Sequence, residues 1–201
     1  MQEYAFSIFG PGVKAGIWNG EGEPPFAVQR MNQVHGTALV EVSAYGAEPE
    51  ADALWTRTRG VRLAVKTADC IPLVFADEEA GVIAAVHAGW RGLTADIIPK
   101  TLAMLELDAS RLKVGVGPSL GTECAEFTDP LAEIPAKFHW AVKGKRVDLN
   151  GIARRQLVEA GVRAENIEWL QICTKCETTW PSWRRTQAAG RFLTWIELLG
   201  R

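Results

Sequence analysis

At 201 residues, and with about 150 residues to a typical domain, the chain has room for one full-sized core over 1–201. Hydrophobic residues at 47% and charged residues at 23% exclude a disordered or low-complexity chain. The 22 basic and 24 acidic side chains leave a net charge of −2, which excludes the broad positive field that draws a protein onto nucleic acid or anionic lipid. No apolar run approaches the ~20 residues that span a bilayer, and the opening residues carry neither a basic n-region nor a long apolar h-region, so a cytoplasmic location is expected.

In chain order, Tyr4 to Phe9 reads as a first strand, followed by a long irregular Gly- and Pro-rich loop through Gly10, Pro11, Gly20, Gly22, Pro24 and Pro25. Three β segments follow at Arg62 to Lys66, Ile71 to Phe75 and Val82 to Val86. The last two are almost continuously apolar, which predicts strands covered on both faces and hence a sheet sandwiched between other layers. After His87, Gly89 and Gly92 bracket Trp90-Arg91 and lead into a helix in which Ile98, Leu102 and Leu105 share a face, with Pro99 delaying or kinking its start. A second helix is expected from about Gly151 to Ala160, capped by Asn150 and stopped by Gly161. Strands at Lys113 to Val116, Ile167 to Ile172 and Phe192 to Leu198 complete an α+β reading.

Chemistry concentrates on a short supply of ligands. There are three histidines, His35, His87 and His139, and four cysteines, Cys70, Cys124, Cys173 and Cys176, in a chain too large to need a disulfide framework. His35, Cys70 and His87 each lie beside glycine or proline at a loop or strand end, in Gln33-Val34-His35-Gly36, Thr67-Ala68-Asp69-Cys70-Ile71-Pro72 and His87-Ala88-Gly89-Trp90-Arg91-Gly92. Two imidazoles and one thiolate make a zinc ligand set that leaves a position open. Their spacings of 35 and 17 residues match no compact finger or H-E-x-x-H helix, and the same residue types serve equally as a buried thiol and strand-end histidines. The pair Cys173 and Cys176 has zinc or redox spacing but no second pair, which reads as structural thiols; Cys124 falls near the pocket without binding metal, and His139 has no catalytic role.

These three blocks, taken in order, resemble the laccase-domain (YfiH-like) family, whose members have been described as purine nucleoside phosphorylases, polyphenol oxidases and peptidoglycan editing factors. Further matches are Gly117-Pro118-Ser119-Leu120-Gly121 with Cys124, Asp148-Leu149-Asn150, Ile172-Cys173-Thr174, Ser182-Trp183-Arg184-Arg185 and Gly190-Arg191, so the resemblance covers roughly 26–201. It implies a layered sandwich of mixed β-sheets flanked by helices, related to the catalytic domain of cytotoxic necrotizing factors. It also implies that His35, Cys70 and His87 bind one zinc, or copper, at the floor of a pocket. Two departures stand out: a compressed glycine segment at Gly10-Pro11-Gly12-Val13, and Trp183 where the family usually has a tyrosine.

Around the metal, Asp69 and Asp52 are the acidic candidates for orienting an imidazole or taking a proton, with Asp69 serving equally well as an Asx turn. Arg91, in the turn that opens a helix, can dock phosphate or stack on Trp90. Arg184 and Arg185, beside Trp180 and Trp183, offer cations and flat faces for a base or sugar, and Gln33, Asp52 and Ser182 join them as substrate-binding candidates. A cation held by two imidazoles and a thiolate lowers the pKa of water toward neutrality, which suits deamination of adenosine, while phosphorolysis needs phosphate at the anomeric carbon. The expectation is therefore a purine nucleoside enzyme using zinc and phosphate, monomeric or a small homo-oligomer. Three rivals remain open: an amidase editing a UDP-muramoyl amino acid, a copper phenol oxidase, and a metal-stabilised binding protein without turnover. Oxidation by several copper centres asks for more histidines than three.

Overall fold

The computed structural model describes residues 2–20, 22–187 and 190–200. Among the described residues twelve strands run in the order β1 Gln2–Ala5, β2 Val13–Asn19, β3 Leu39–Glu41, β4 Ala53–Thr56, β5 Arg62–Thr67, β6 Ile71–Asp77, β7 Val82–Ala88, β8 Lys113–Val116, β9 Val142–Lys143, β10 Arg146–Val147, β11 Ile167–Trp169 and β12 Phe192–Leu198. The helices are short: α1 Trp90–Thr94, α2 Ile97–Leu105, α3 Pro130–Glu133, α4 Leu149–Glu159 and α5 Trp183–Thr186. None of the described helices is long and apolar enough to cross a membrane.

Two sheets lie face to face. One is antiparallel, in the order β1-β2-β12-β5; the other is mixed, in the order β11-β8-β6-β7-β4-β3, with parallel pairs only at its two edges. The period-2 geometry of strands explains how β6 and β7, buried at every residue, serve two cores at once. Leu73 and Phe75 of β6 and Val82, Ala84 and Val86 of β7 face a core shared with Leu93, Ile97, Ile98, Ile152 and Leu157 of the helical layer. Val74, Ala76, Ile83 and Ala85 face the other way, onto Ile17, Leu63, Val65, Phe192 and Ile196 of the antiparallel sheet. The architecture is thus sheet on sheet with helices on the outer face, the mixed α+β arrangement expected from the apolar runs.

Several local expectations need revision. Tyr4 to Phe9 forms a strand only as far as Ala5, and the expected irregular loop contains β2, which pairs on one side with β1 and on the other with β12. Ala15, Gly16, Ile17 and Trp18 are buried in succession, so β2 lacks the alternation that would reveal it. The strand expected over Ile167 to Ile172 ends at Trp169. Pro99 falls in the first turn of α2, where an N–H has no helical partner to lose, so the helix begins at Ile97 rather than late. The cap of α4 is Asp148, whose Oδ1 accepts the Gly151 N–H at 2.8 Å; Asn150 instead donates from Nδ2 to the Leu120 carbonyl. Gly161, at φ +99°, ends that helix as expected.

Phe75 is 1% exposed at the centre of the outer core. Replacing it with alanine is expected to cost about 3–5 kcal/mol in denaturant-derived stability, with the midpoint shifted and the slope unchanged.

Candidate metal centre and its pocket

The three chain segments that carry metal-ligand side chains converge at one end of the sheets. β7 delivers His87, whose parity along the strand puts it on the same side as Ile83 and Ala85 and whose register partner on β6 is Pro72. Cys70 precedes β6, and His35 lies in the loop before β3. The ligand atoms of His35, Cys70 and His87 all fall within 4.8 Å of one another, and among the described residues no fourth His, Cys, Asp or Glu joins them. The two imidazoles stand edge to face with centroids 4.9 Å apart.

Backbone conformation at the site is costly. His35 has φ 60° and Asp69, immediately before Cys70, has φ 90°, both in the left-handed region that non-glycine residues avoid. Gly89 closes the cradle: a Cβ there would lie 2.8 Å from His35 Cδ2, 3.3 Å from His87 Cε1 and 3.4 Å from Cys70 Sγ. The residue touches all three ligands at once, so only a hydrogen leaves their meeting point open.

Asp52, expected also to touch substrate, is buried and is not among the pocket-lining residues; it organises the cluster from behind. Its carboxylate is fully buried and accepts from the His35 N–H at 2.9 Å, the Gly36 N–H at 2.6 Å and His87 Nδ1–H at 2.7 Å. Burial pushes this carboxyl up, but the His87 ring and the two main-chain donors outweigh it and hold it below its ordinary value. With Nδ1 committed to Asp52, His87 presents Nε2 to the cluster, the arrangement that metal-binding histidines adopt. Burial also opposes the Cys70 thiolate, yet hydrogen bonds from His35 and His87 bring that thiol down to about 6. His87, penalised by burial, is raised to about 9 by Asp52 and Cys70. A thiolate and two imidazoles aimed at one open point are a fitting donor set for zinc or copper, and uptake of a cation would release the His87 proton.

The trio floors a cavity of about 410 Å³, within the range of small-molecule sites. Its walls bring in aromatic side chains from distant segments: Trp90, Phe127 edge-on to Trp90 at 5.5 Å, and Trp183, half exposed at the mouth. Arg91 and Arg184 also line it. A second, more open cavity of about 1110 Å³, lined by Trp18, Pro24, Arg30 and Trp180, holds none of the three ligands.

The remaining sequence candidates fall in different places. Arg91 lines the pocket with its guanidinium 4.4 Å above the Trp90 ring, but α1 has only five residues and gives little helix dipole for an anion. Gln33 lines the pocket too, with both amide atoms already paired to the Lys66 main chain at 2.9 Å. Asp69 is turned away from the imidazoles: Oδ1 accepts from Thr174 Oγ1 and Oδ2 from the Arg184 N–H, each at 2.6 Å. Arg184 donates to the Glu126 carbonyl at 2.7 Å. Ser182 and Arg185 do not line the metal pocket; they face the larger cavity. Ser182 caps α5 by accepting the Arg185 N–H, and the Arg185 guanidinium clamps the carbonyls of Thr174, Lys175 and Trp180. Phe127 lines the pocket from a segment the sequence does not single out, and Leu149 from the Asp148-Leu149-Asn150 match with no pocket role of its own expected, since an isolated apolar residue reads as core. Cys124, expected near the pocket, does not line it and lies with Cys173 and Cys176 in a second cluster of three sulfurs within 4.8 Å of one another.

A family model described as multi-copper polyphenol oxidoreductase laccase matches residues 20–199. A protein named purine nucleoside phosphorylase from Xylella fastidiosa (strain 9a5c) is 35% identical over 189 residues, covering 83% of this chain and 71% of that protein. One named adenosine deaminase RL5, from an unknown prokaryotic organism, is 37% identical over 141 residues, covering 64% of this chain and 54% of the relative. The crystal structure of a Neisseria meningitidis protein of the DUF152 family superposes with a TM-score of 0.82 at 27% identity, covering 98% of each chain.

Asp52→Asn keeps the shape of the hub but removes its charge. It is expected to lower zinc affinity roughly 10–100-fold in a competitive chelator titration while far-UV circular dichroism stays unchanged.

Proposed function

The chain belongs to the multi-copper polyphenol oxidoreductase laccase family, and we propose that it is a zinc enzyme that cleaves adenosine or inosine with phosphate to free base and ribose 1-phosphate. The observation that carries this reading is the His35, Cys70 and His87 cluster at the floor of a cavity walled by Trp90, Phe127 and Trp183 and edged by Arg91 and Arg184. The name of the Xylella relative supports the same substrate class.

The aromatic faces supply what a purine needs, a flat apolar slot that takes the base edge or face without asking for particular hydrogen bonds. The two guanidinium groups supply what phosphate needs, because planar cations at a pocket mouth attract and orient an anion. In the reaction a phosphate oxygen bonds to the anomeric carbon as the bond from that carbon to the purine nitrogen breaks. The purine leaves with the electron pair and takes a proton at nitrogen. A bound zinc supplies Lewis acidity at the pocket floor. Asp52 holds the His87 ring by its Nδ1–H and keeps the His35 loop in place, so its part is positioning. Zinc suits the borderline-soft N and S donors, and copper suits them as well.

A second reading, hydrolytic deamination of adenosine, is favoured by the name of the RL5 relative. Here water replaces the amino group at C6 and ammonia leaves, with no phosphate consumed. One assay on the zinc-loaded protein separates the two: inosine and adenosine are each incubated with and without phosphate, and free base, ribose 1-phosphate and ammonia are measured. Base and ribose 1-phosphate are expected only with phosphate; base release that ignores phosphate overturns the proposal. Arg91→Ala is expected to raise the KM for phosphate several-fold more than that for nucleoside. His35→Ala is expected to abolish turnover and leave a folded protein, since a chain of 201 residues buries enough apolar surface to fold without metal.

A further inference from the structure

From the second sulfur cluster we propose that Cys124, Cys173 and Cys176 form a separate binding site for a thiophilic d10 cation, Zn²⁺ or Cu⁺, distinct from the His35, Cys70 and His87 centre. This site does not rest on the nucleoside reading.

The argument begins with spacing. Two thiolates on one zinc, each ~2.3 Å from it at a tetrahedral angle, stand ~3.8 Å apart. Here Cys124 Sγ and Cys176 Sγ are 3.4 Å apart and all three sulfurs fall within 4.8 Å, so a cation fits among them with shifts of tenths of an ångström. All three are free thiols. Three are also the wrong number for a disulfide, which would leave one sulfur over.

The second step is the environment of Cys173. Cys173-Thr174-Lys175-Cys176 forms a turn directly after an isolated bridge between Ser119 and Cys173. The backbone N–H of Gly121 donates to Cys173 Sγ at 3.2 Å. A main-chain N–H aimed at this sulfur is a better bond for a metal-bound sulfur than for a neutral thiol, which is a poor acceptor. Gly121 is needed for this approach: a Cβ there would lie 3.1 Å from Cys173 Cβ and 3.2 Å from its sulfur.

The third step is rigidity. The turn is pinned before any ion arrives, because Thr174 N–H donates to the Ser119 carbonyl at 3.0 Å and Arg185 donates to the carbonyls of Thr174 and Lys175. Cys124 arrives from the opposite side on the short 3-10 turn Thr122–Cys124, fixed by its own N–H to the Gly121 carbonyl at 2.9 Å. A site whose ligands are held in place loses little entropy on binding. Cys176 is exposed, so an ion has an entry path from solvent, and three protein ligands leave one position for water. The cation would tie the 121–124 turn to the 173–176 turn, which also carries Thr174, the partner of Asp69.

The test uses the full chain, stripped of metal and fully reduced under anaerobic conditions, then titrated separately with Zn²⁺ and with Cu⁺ and assayed for bound metal after desalting. For at least one of the two ions, wild type is expected to retain two equivalents, Cys124→Ser/Cys176→Ser one, and Cys70→Ser one. Which ion fills the second site identifies its cargo. Iodoacetamide labelling of wild type provides a readout that needs no variant: exposed Cys176 is expected to react in the stripped protein and to be at least tenfold slower once two equivalents are bound. Cys176 is exposed, so Cys176→Ser alone leaves the core untouched and is expected to lose the second equivalent as well. Retention by wild type of no more than one equivalent with both ions overturns the site, as does a second equivalent that survives in Cys124→Ser/Cys176→Ser. So does labelling of Cys176 that is indifferent to metal, or recovery of Cys124 and Cys176 as a disulfide under reducing conditions.

Discussion

The buried carboxylate of Asp52 is the interaction on which the His35, Cys70 and His87 cluster depends. A lone carboxylate removed from water costs several kcal/mol, and the cost is met only when its oxygens are fully paired. The three donors that meet it come from two parts of the chain, the main-chain N–H groups of His35 and Gly36 and the Nδ1–H of His87. The main chain repeats the link, because the His87 N–H donates to the Asp52 carbonyl at 2.7 Å. The loop that carries His35 is therefore registered against the strand that carries His87 through one side chain. The positive φ of His35 is tolerated because both N–H groups at that bend are satisfied by the same carboxylate.

Charge follows from this arrangement. Asp52 and Cys70 bring two negative charges into a space of a few ångströms. In the metal-free protein the His87 proton offsets part of that charge, which is why this histidine is raised and the cysteine lowered although both are penalised by burial. A divalent cation would offset all of it and displace the proton. The same residues thus accept either a proton or a cation at one point, and Gly89 keeps that point free of any side chain.

What the sequence revealed and what it withheld divide along physical lines. The apolar runs of β6 and β7 were legible because strands buried on both faces have no polar residues to confuse them. β2 was hidden for a related reason: it is central to its sheet but lies between Gly- and Pro-rich segments that read as loop. His35, Cys70 and His87 could be picked out by residue type and neighbouring glycines, yet only the fold brings them within reach of one another. The cap of α4 was misplaced by two residues because Asp148 and Asn150 are both good capping types, and Asn150 is drawn instead to the Leu120 carbonyl. Cys124 could not be joined to Cys173 and Cys176 from spacing, since 49 residues separate it from the pair's first member. Phe127 and Leu149 carry no chemical mark at all, and their place in the pocket wall is a property of topology alone.

Asp69 joins the metal centre to the pocket wall. It precedes Cys70, with its backbone in the left-handed region, and this turns its carboxylate away from the imidazoles toward Thr174 and the N–H of Arg184. Its carbonyl in turn accepts the Leu120 N–H at 2.8 Å. One residue thus fixes the start of β6, the Gly117–Leu120 loop and the first turn of α5. Trp183, which forms part of the mouth, sits on α5, a single helical turn that cannot hold its own position. Its place is set from outside, by Asp69 through the Arg184 N–H and by the Arg185 clamp on three carbonyls. Where the aromatic lid of the pocket stands is therefore decided next to the metal ligand, so the floor and the mouth of the cavity are held in register by the peptide bond between Asp69 and Cys70.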